Sequence, residues 1–131
     1  MITRSGTHAL KAMAYLASLP VGAYEGAGEI ALQIKAPQNY LGKLLRLLAR
    51  AGLLEGRKGS NGGFRLARDS GNISLYDVLE PIEHVSRIKG CALGRAQCTR
   101  KDHCALHEGW ARIRNEYLGF LRNTRLSEVA D

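Results

Sequence analysis

A glycine-rich stretch in the middle of the chain constrains the fold more than any other feature. The loop Gly59–Gly63 reads Gly-Ser-Asn-Gly-Gly and lies between two short arms, Leu53–Arg57 and Phe64–Arg68. Two strand-length arms around a Gly/Asn loop are typical of a β-hairpin. Because both arms carry arginine, the sequence predicts a basic β-hairpin between positions 53 and 68.

The segments before the hairpin have helical periodicity. The patterns predict helices over residues 2–18, 29–34 and 37–51. One side of the third helix should be buried, since four leucines share it: Leu41, Leu44, Leu45 and Leu48. A short helix, a turn, a second helix and a basic hairpin follow the order of a winged helix-turn-helix. We therefore expect a mainly α-helical fold with a small β-hairpin wing.

Two further helices are predicted after the hairpin. Ser74 can cap the first of them with Asp77 in a capping box, and Pro81 should bend or divide it. The second begins near Leu106 and carries an apolar stripe: Leu106, Trp110, Ile113, Tyr117, Phe120 and Leu121. Such a stripe packs either on its own domain or on a symmetry mate. We expect the mate, with a dimer interface formed by Trp110, Ile113, Tyr117 and Phe120.

These patterns divide the chain into three parts. Residues 1–80 are predicted to form a winged helix-turn-helix domain. Residues 81–105 are predicted to form a linker with a cysteine loop, and residues 106–131 a long dimerisation helix with a tail.

The charge of the chain indicates a polyanionic partner. The formal net charge is +7 and the pI is near 9.7, which favours double-stranded DNA. There is neither a transmembrane-length apolar run nor a signal-peptide layout, so we expect a cytoplasmic protein with no membrane partner. The sequence contains no nucleotide-binding loop, paired-carboxylate site or Ser/His/Asp set, so we do not expect an enzyme.

The predicted DNA contacts come from the third helix and the hairpin. Base edges should be met in the first turns of the helix, by Gln38, Asn39, Tyr40 and Lys43, although Asn39 is equally suited to capping. The hairpin should contact the DNA backbone through Arg57, Lys58, Ser60, Asn61 and Arg65. The alternative for these side chains is a solvated charged surface.

The cysteines are confined to one short segment. Cys91, Cys98 and Cys104 are the three cysteines of the chain, and His107 follows three positions after the last. An odd count does not suit disulfides, whereas soft ligands of this kind suit zinc or an iron–sulfur cluster. Three unrelated buried cysteines are the alternative. His107 is the best fourth ligand by local reach, with a surface histidine as its alternative, and His8 is next.

Several segments resemble a known family of bacterial winged-helix regulators. The matching segments are His8–Ala17, Asn39–Leu41, Ala51–Leu54, Gly59–Ala67, Ser74–Val78, Cys91–Gly94 and Cys104 through Trp110. Over nearly its whole length the chain resembles the iron–sulfur transcription regulators of the IscR, NsrR and RirA type, the Rrf-two (Rrf2) family. The hairpin and cysteine segments carry most of the resemblance.

The resemblance implies a homodimeric transcription regulator, most simply a repressor. A [2Fe–2S] or [4Fe–4S] cluster on Cys91, Cys98 and Cys104 would set its operator affinity and sense redox, nitric oxide or iron status. Two departures bear on the cluster. Six residues separate Cys91 from Cys98 where the IscR type has five, and Thr7 stands where the NsrR type takes an acidic ligand. The alternative is a winged-helix DNA-binding protein with a purely structural Cys₃His zinc site.

Overall fold

The structure is a computed structural model that describes residues 2–88 and 105–130. Its fold is a winged helix. Its helices are α1 (Arg4–Ala17), α2 (Ala27–Ile34), α3 (Gln38–Arg50), α4 (Leu75–Glu83), α5 (His107–Asn123) and α6 (Leu126–Val129). The two strands are β1 (Leu54–Arg57) and β2 (Gly63–Leu66), and 3₁₀ turns lie at Ser70–Asn72 and Val85–Arg87. The predicted fold class is therefore confirmed. Within the two described ranges, no helix is long and apolar enough to cross a membrane.

The main core lies where α1, α2 and α3 meet. The four leucines of α3 are all buried in it, as the periodicity predicted. On α1 the helical spacing of the sequence predicted a face formed by Leu10, Met13, Ala14 and Ala17. The buried residues are instead Ala9, Ala12, Met13 and Leu16, while Leu10 packs at the edge between two clusters. The small residues Ala9 and Ala12 allow the neighbouring helices to approach α1 closely, and this packing selects the face that is buried.

The turn between α2 and α3 is closed by a residue in the left-handed conformation. Lys35 has φ of 58° and ψ of 50°, and the Ala36 N–H donates to the Ala31 carbonyl at 2.9 Å. These two features end α2 and redirect the chain. Pro37 then stands at the N-cap position of α3, one residue before the first helical position. Its ring cannot continue α2, so the two helices remain separate.

The hairpin is joined to the helices by a backbone bridge. In β1 and β2, Leu54 pairs with Leu66 and Arg57 with Gly63, in antiparallel register. Glu25, just before α2, forms a further bridge to Phe64, with both N–H···O bonds at 2.8–2.9 Å. A side chain at Gly63 would overlap the Glu25 carbonyl, and Gly63 has φ of +132°. The wing is thus fixed to the segment that opens the helix-turn-helix.

Helix α4 has the predicted capping box. Ser74 Oγ accepts from the Asp77 N–H, and Asp77 accepts from the Ser74 N–H, both at 3.0 Å. The prediction that Pro81 divides this helix is wrong. The helix continues to Glu83 because the next backbone bond, from the His84 N–H to the Glu80 carbonyl, still forms at 3.0 Å. His84, with φ of 52°, ends it in the left-handed conformation.

Helix α5 packs against α4 around a second, smaller core. Leu118 and Leu121 of α5 are buried there with Leu75, Leu79 and Val85. After α5 the chain returns to the winged domain, where the Leu126 N–H donates to the Ile73 carbonyl at 2.7 Å and the Leu126 side chain enters the main core. Helix α5 is therefore fixed along its side by α4, and the chain that follows it is fixed to the winged domain.

Candidate nucleic-acid interface and metal ligands

The first turns of α3 present polar side chains to solvent. Gln38, Asn39 and Lys43 are exposed, on the side of α3 away from its buried leucines. Pro37, rather than Asn39, occupies the N-cap position, and no side chain of the described residues caps the helix. The structure therefore favours the solvent-facing interpretation of Asn39 over its capping alternative.

Tyr40 is turned toward α1. Its hydroxyl donates to Ser5 Oγ at 2.9 Å and lies 3.2 Å from His8 Nδ1, and the two rings meet edge to face. Which group donates in the contact between His8 and Tyr40 depends on the imidazole tautomer. The Tyr40 hydroxyl is hydrogen-bonded within the domain, so the predicted contact of Tyr40 with a base edge would be made by its ring.

A row of basic side chains continues along α3. Lys43, Arg46 and Arg50 are exposed and, with Leu47, line one shallow groove. Their spacing of three, four and seven residues places them on one face of a helix. Lys43 is a predicted DNA contact, whereas Arg46 and Arg50 were not predicted, although they share its helical spacing.

The tip of the wing is exposed to solvent. Lys58, Ser60 and Asn61 are all solvent-exposed. Arg57 Nη2 donates to the Asn61 carbonyl at 2.7 Å, which closes the loop across the strand ends. A side chain at Gly62 would overlap the Arg57 carbonyl, so the loop depends on glycine there. The side chains of Lys58, Ser60 and Asn61 are therefore accessible from solvent.

Arg65 has a different environment from its neighbours. Its Nε and Nη2 both donate to Glu55 Oε2, at 3.0 and 2.8 Å. These bonds raise the pKa of Arg65 above its ordinary value. Glu55 faces Arg65 directly across the hairpin, so the pair stabilises the register of the strands. The Arg65 charge is largely compensated, which makes its predicted phosphate contact weaker than that of Arg57 or Lys58.

Of the predicted metal ligands, His107 alone lies within the described residues. It is the first residue of α5 and is partly exposed. Cys91, Cys98 and Cys104 lie outside the described residues, as does His103. Within the described ranges, no three His, Cys, Asp or Glu side chains form a group suited to a metal ion. Three thiolates and one imidazole remain a chemically suitable set for an iron–sulfur cluster or zinc.

The four predicted interface residues of α5 divide into two pairs. Ile113 and Phe120 are exposed to 53% and 54%, one heptad apart. Trp110 and Tyr117 are partly buried, and Tyr117 packs on the second core. The Tyr117 hydroxyl is buried with no hydrogen-bond partner among the described residues. Burial, and then the nearby Glu83 carboxylate, raise its pKa.

The sequence matches the family model Rrf2, described as an iron-dependent transcriptional regulator, over residues 2–131. Among similar proteins is one named as the HTH-type transcriptional regulator YwgB of Bacillus subtilis. It is 32% identical over 124 residues, which cover 94% of this chain and 80% of the relative. A protein of Aquifex aeolicus named as an HTH-type regulator is 28% identical, over 93% of this chain and 85% of its own length. Both names are those of regulators, not enzymes.

Solved structures with the same fold include two regulators. The structure of CymR, the global cysteine regulator of B. subtilis, superposes with a TM-score of 0.81 at 25% identity, covering 99% of this chain and 95% of CymR. The T. potens IscR structure superposes with a TM-score of 0.79 at 21% identity, covering 98% of this chain and 85% of IscR. The arrangement of α1 to α5 and the wing is therefore that of known regulators.

Proposed function

This chain belongs to the Rrf2 family of transcriptional regulators, and from that membership we propose that it is a homodimeric repressor whose operator affinity is set by an iron–sulfur cluster. The observation that carries the cluster is the confinement of all three cysteines to the segment between the winged domain and α5. The description of the family as iron-dependent supports the same conclusion. The protein would act in the cytoplasm, where bacterial DNA lies and thiols stay reduced.

DNA binding is supported by the position of the exposed cations. Lys43, Arg46 and Arg50 line one face of α3, and Lys58 stands at the wing tip. In helix-turn-helix proteins the second helix enters the major groove. The wing then reaches the adjacent backbone, where lysine and arginine supply affinity that depends on salt but not on sequence. Gln38 and Asn39, exposed in the first turn, are suited to reading adenine.

Cys91, Cys98, Cys104 and His107 would hold the cluster. When bound, such a cluster supplies a centre that accepts or loses an electron and reacts with nitric oxide. His107 opens α5, and α5 packs on α4, whose C-terminus leads into the cysteine segment. Ligation of His107 would therefore act at the start of the helix that we propose as the dimer contact.

The dimer is supported by the surface of α5. Ile113 and Phe120 remain exposed while Leu118 and Leu121 of the same helix are buried, and Leu106 is exposed one heptad before Ile113. Apolar residues at heptad spacing are typical of a helix that pairs with a second helix. A two-fold dimer must present its recognition helices to major grooves about 34–36 Å apart. A small change at the start of α5 would misalign both half-sites at once.

The cofactor is tested by anaerobic purification with an absorption spectrum and with iron and sulfide analysis. We expect coloured protein with one cluster per subunit, since thiolate-bound iron–sulfur clusters absorb visible light. Stoichiometric zinc without visible absorbance, even after reconstitution with iron and sulfide, would instead establish the structural Cys₃His zinc site.

The regulatory role is tested on DNA. An operator is selected from a random duplex library, and cluster-loaded and cluster-free protein are titrated on it at one salt concentration. We expect the two forms to differ in affinity for the operator but much less for an unrelated duplex, where backbone contacts dominate. Equal operator affinities would mean that the metal only stabilises the fold.

A further inference from the structure

Tyr24 lies between the helices and the wing, in contact with two arginines. The Arg57 guanidinium carbon is 4.1 Å from the centre of the Tyr24 ring, and that of Arg65 is 4.6 Å away. Tyr24 is in the segment between α1 and α2, next to Glu25, which bridges to the hairpin. Arg57 and Arg65 project from the same face of the hairpin, because Arg65 pairs with Glu55, two residues from Arg57. The Tyr24 ring therefore contacts the guanidinium groups of both arginines.

The two arginines are not equivalent. Arg65 is paired with Glu55 at 2.8 Å and also donates to the Gly22 carbonyl at 3.4 Å. Among the described residues, the hydrogen-bond partner of Arg57 is a neutral group, the Asn61 carbonyl. The described residues place no carboxylate within ion-pair distance of Arg57. Arg57 thus carries an uncompensated charge at the exposed end of β1, whereas Arg65 serves to hold the ring.

We propose that Tyr24 is a positioning residue for DNA binding, which holds the Arg57 guanidinium in place for contact with a backbone phosphate. The inference rests on the proposed DNA binding. A guanidinium is planar and stacks on an aromatic face while its N–H groups remain available at the edge. Stacking on Tyr24 and the bond to Asn61 restrict the rotamers of an otherwise exposed side chain. The polar cleft beside them, lined by Ser60, Asn61 and Gly62, leaves space for a phosphate.

The test is a double-mutant cycle on the full chain, with a generic 30-base-pair duplex followed by fluorescence anisotropy over a range of salt concentrations. Arg57→Gln should reduce the slope of log K against log salt by about 0.9, the value for one phosphate contact. Tyr24→Leu should weaken binding by about two- to fivefold. In the Arg57→Gln background Tyr24→Leu should have no further effect, because the ring acts through Arg57. Tyr24→Phe, which keeps the ring, should bind like the unmodified chain.

The outcomes separate this inference from the function on which it rests. If the unmodified chain does not bind the duplex, the proposed function fails. If it binds and Tyr24→Leu has no effect, or has the same effect with and without Arg57, the positioning role is wrong. Thermal melting shows whether each variant is folded. If Tyr24→Leu does not fold, Arg57→Lys is the deciding variant. It keeps the positive charge and the salt dependence of binding but loses planar stacking on Tyr24. Unchanged DNA affinity in Arg57→Lys would overturn the proposal.

Discussion

Glu83 binds the N-terminus of α1 through Thr3, 80 positions earlier in the chain. The Glu83 carboxylate accepts from the Thr3 N–H at 3.0 Å and from the Thr3 hydroxyl. The same hydroxyl accepts from the Gly6 N–H as the N-cap of α1. Gly6 makes the approach possible, because a side chain there would overlap the Glu83 carboxylate and lie 2.9 Å from Leu79. The end of α4 is thus joined to α1, whose Ser5 and His8 contact Tyr40 of α3.

Replacing Glu83 tests this connection. Glu83→Ala should lower the free energy of unfolding by about 1–2 kcal/mol, since it removes two hydrogen bonds and a negative charge near the α1 N-terminus. Urea denaturation measures the change. Glu116→Ala, an exposed glutamate on α5, is the matched control and should change stability by less than about 0.5 kcal/mol. Equal losses in the two variants would show that the Thr3 contact contributes nothing.

The wing depends on glycine at position 63. Gly63→Ala should destabilise the protein by about 2–4 kcal/mol, because the new side chain meets the Glu25 carbonyl and the backbone has φ of +132°. Gly59→Ala is the control, since Gly59 has φ of +104° but no atom of the described residues lies within 4 Å of the added carbon. Urea denaturation should show the larger loss for Gly63→Ala. A loss no larger than that of Gly59→Ala would argue against the close approach of Glu25 and the wing.

The contact between Tyr15 and Glu25 predicts a dependence of stability on alkaline pH. The Tyr15 hydroxyl donates to Glu25 at 2.7 Å, and this bond, with burial and the charge of Glu25, raises the pKa of Tyr15 to about 12. A raised pKa means that the folded state holds the proton more tightly. The contribution is therefore complete below pH 10, the ordinary value, and is lost as the pH rises toward 12.

Tyr15→Phe provides the measurement. The urea midpoint of this variant should lie below that of the unmodified chain at pH 8, and the difference should shrink between pH 10 and pH 12. Absorbance at 295 nm, which follows tyrosinate, should lose one late-titrating group in Tyr15→Phe. Glu25→Gln should shift that group to lower pH. A difference in urea midpoint that grows as the pH rises would contradict the prediction.

The proposed dimer predicts a change in oligomeric state. Ile113→Lys combined with Phe120→Lys should give monomers in sedimentation, because two charges would face each other across the α5 interface. Leu32→Lys is the control, since Leu32 is exposed to 70% on α2, away from α5, and should leave the dimer intact. The prediction is contradicted if the unmodified chain is itself monomeric at micromolar concentration.

The fourth ligand is tested by comparing histidines. His107→Ala should weaken or shift the absorption of cluster-loaded protein, because His107 lies one helical step beyond Cys104 in sequence. His103→Ala should leave the spectrum unchanged. His8→Ala is the third arm, because His8 is on α1 and an imidazole nitrogen is a common metal ligand. If His8→Ala alone alters the spectrum, the ligand comes from α1 and the assignment of His107 is wrong.

Local sequence patterns were sufficient to predict several elements of the fold. The loop at Gly59–Gly63 specified the hairpin, because its backbone requires positive φ and close approach that glycine alone tolerates. The four leucines of α3 specified its buried face, and Ser74 with Asp77 specified the start of α4. Each of these features depends on residues within one helical turn or one hairpin, so the signal and its structural result lie in the same short segment.

Tertiary structure decided which side chains meet. The periodicity of α1 predicted a face through Leu10 and Ala14, but close packing buried Ala9 and Ala12 instead. Nothing near Tyr24 in the sequence indicates Arg57, and nothing near Tyr40 indicates Ser5, yet these pairs determine which polar groups of the proposed interface remain available. Such contacts join residues more than 30 positions apart, and they form only after the helices have packed. Their geometry is set by the volume of the core rather than by local propensity.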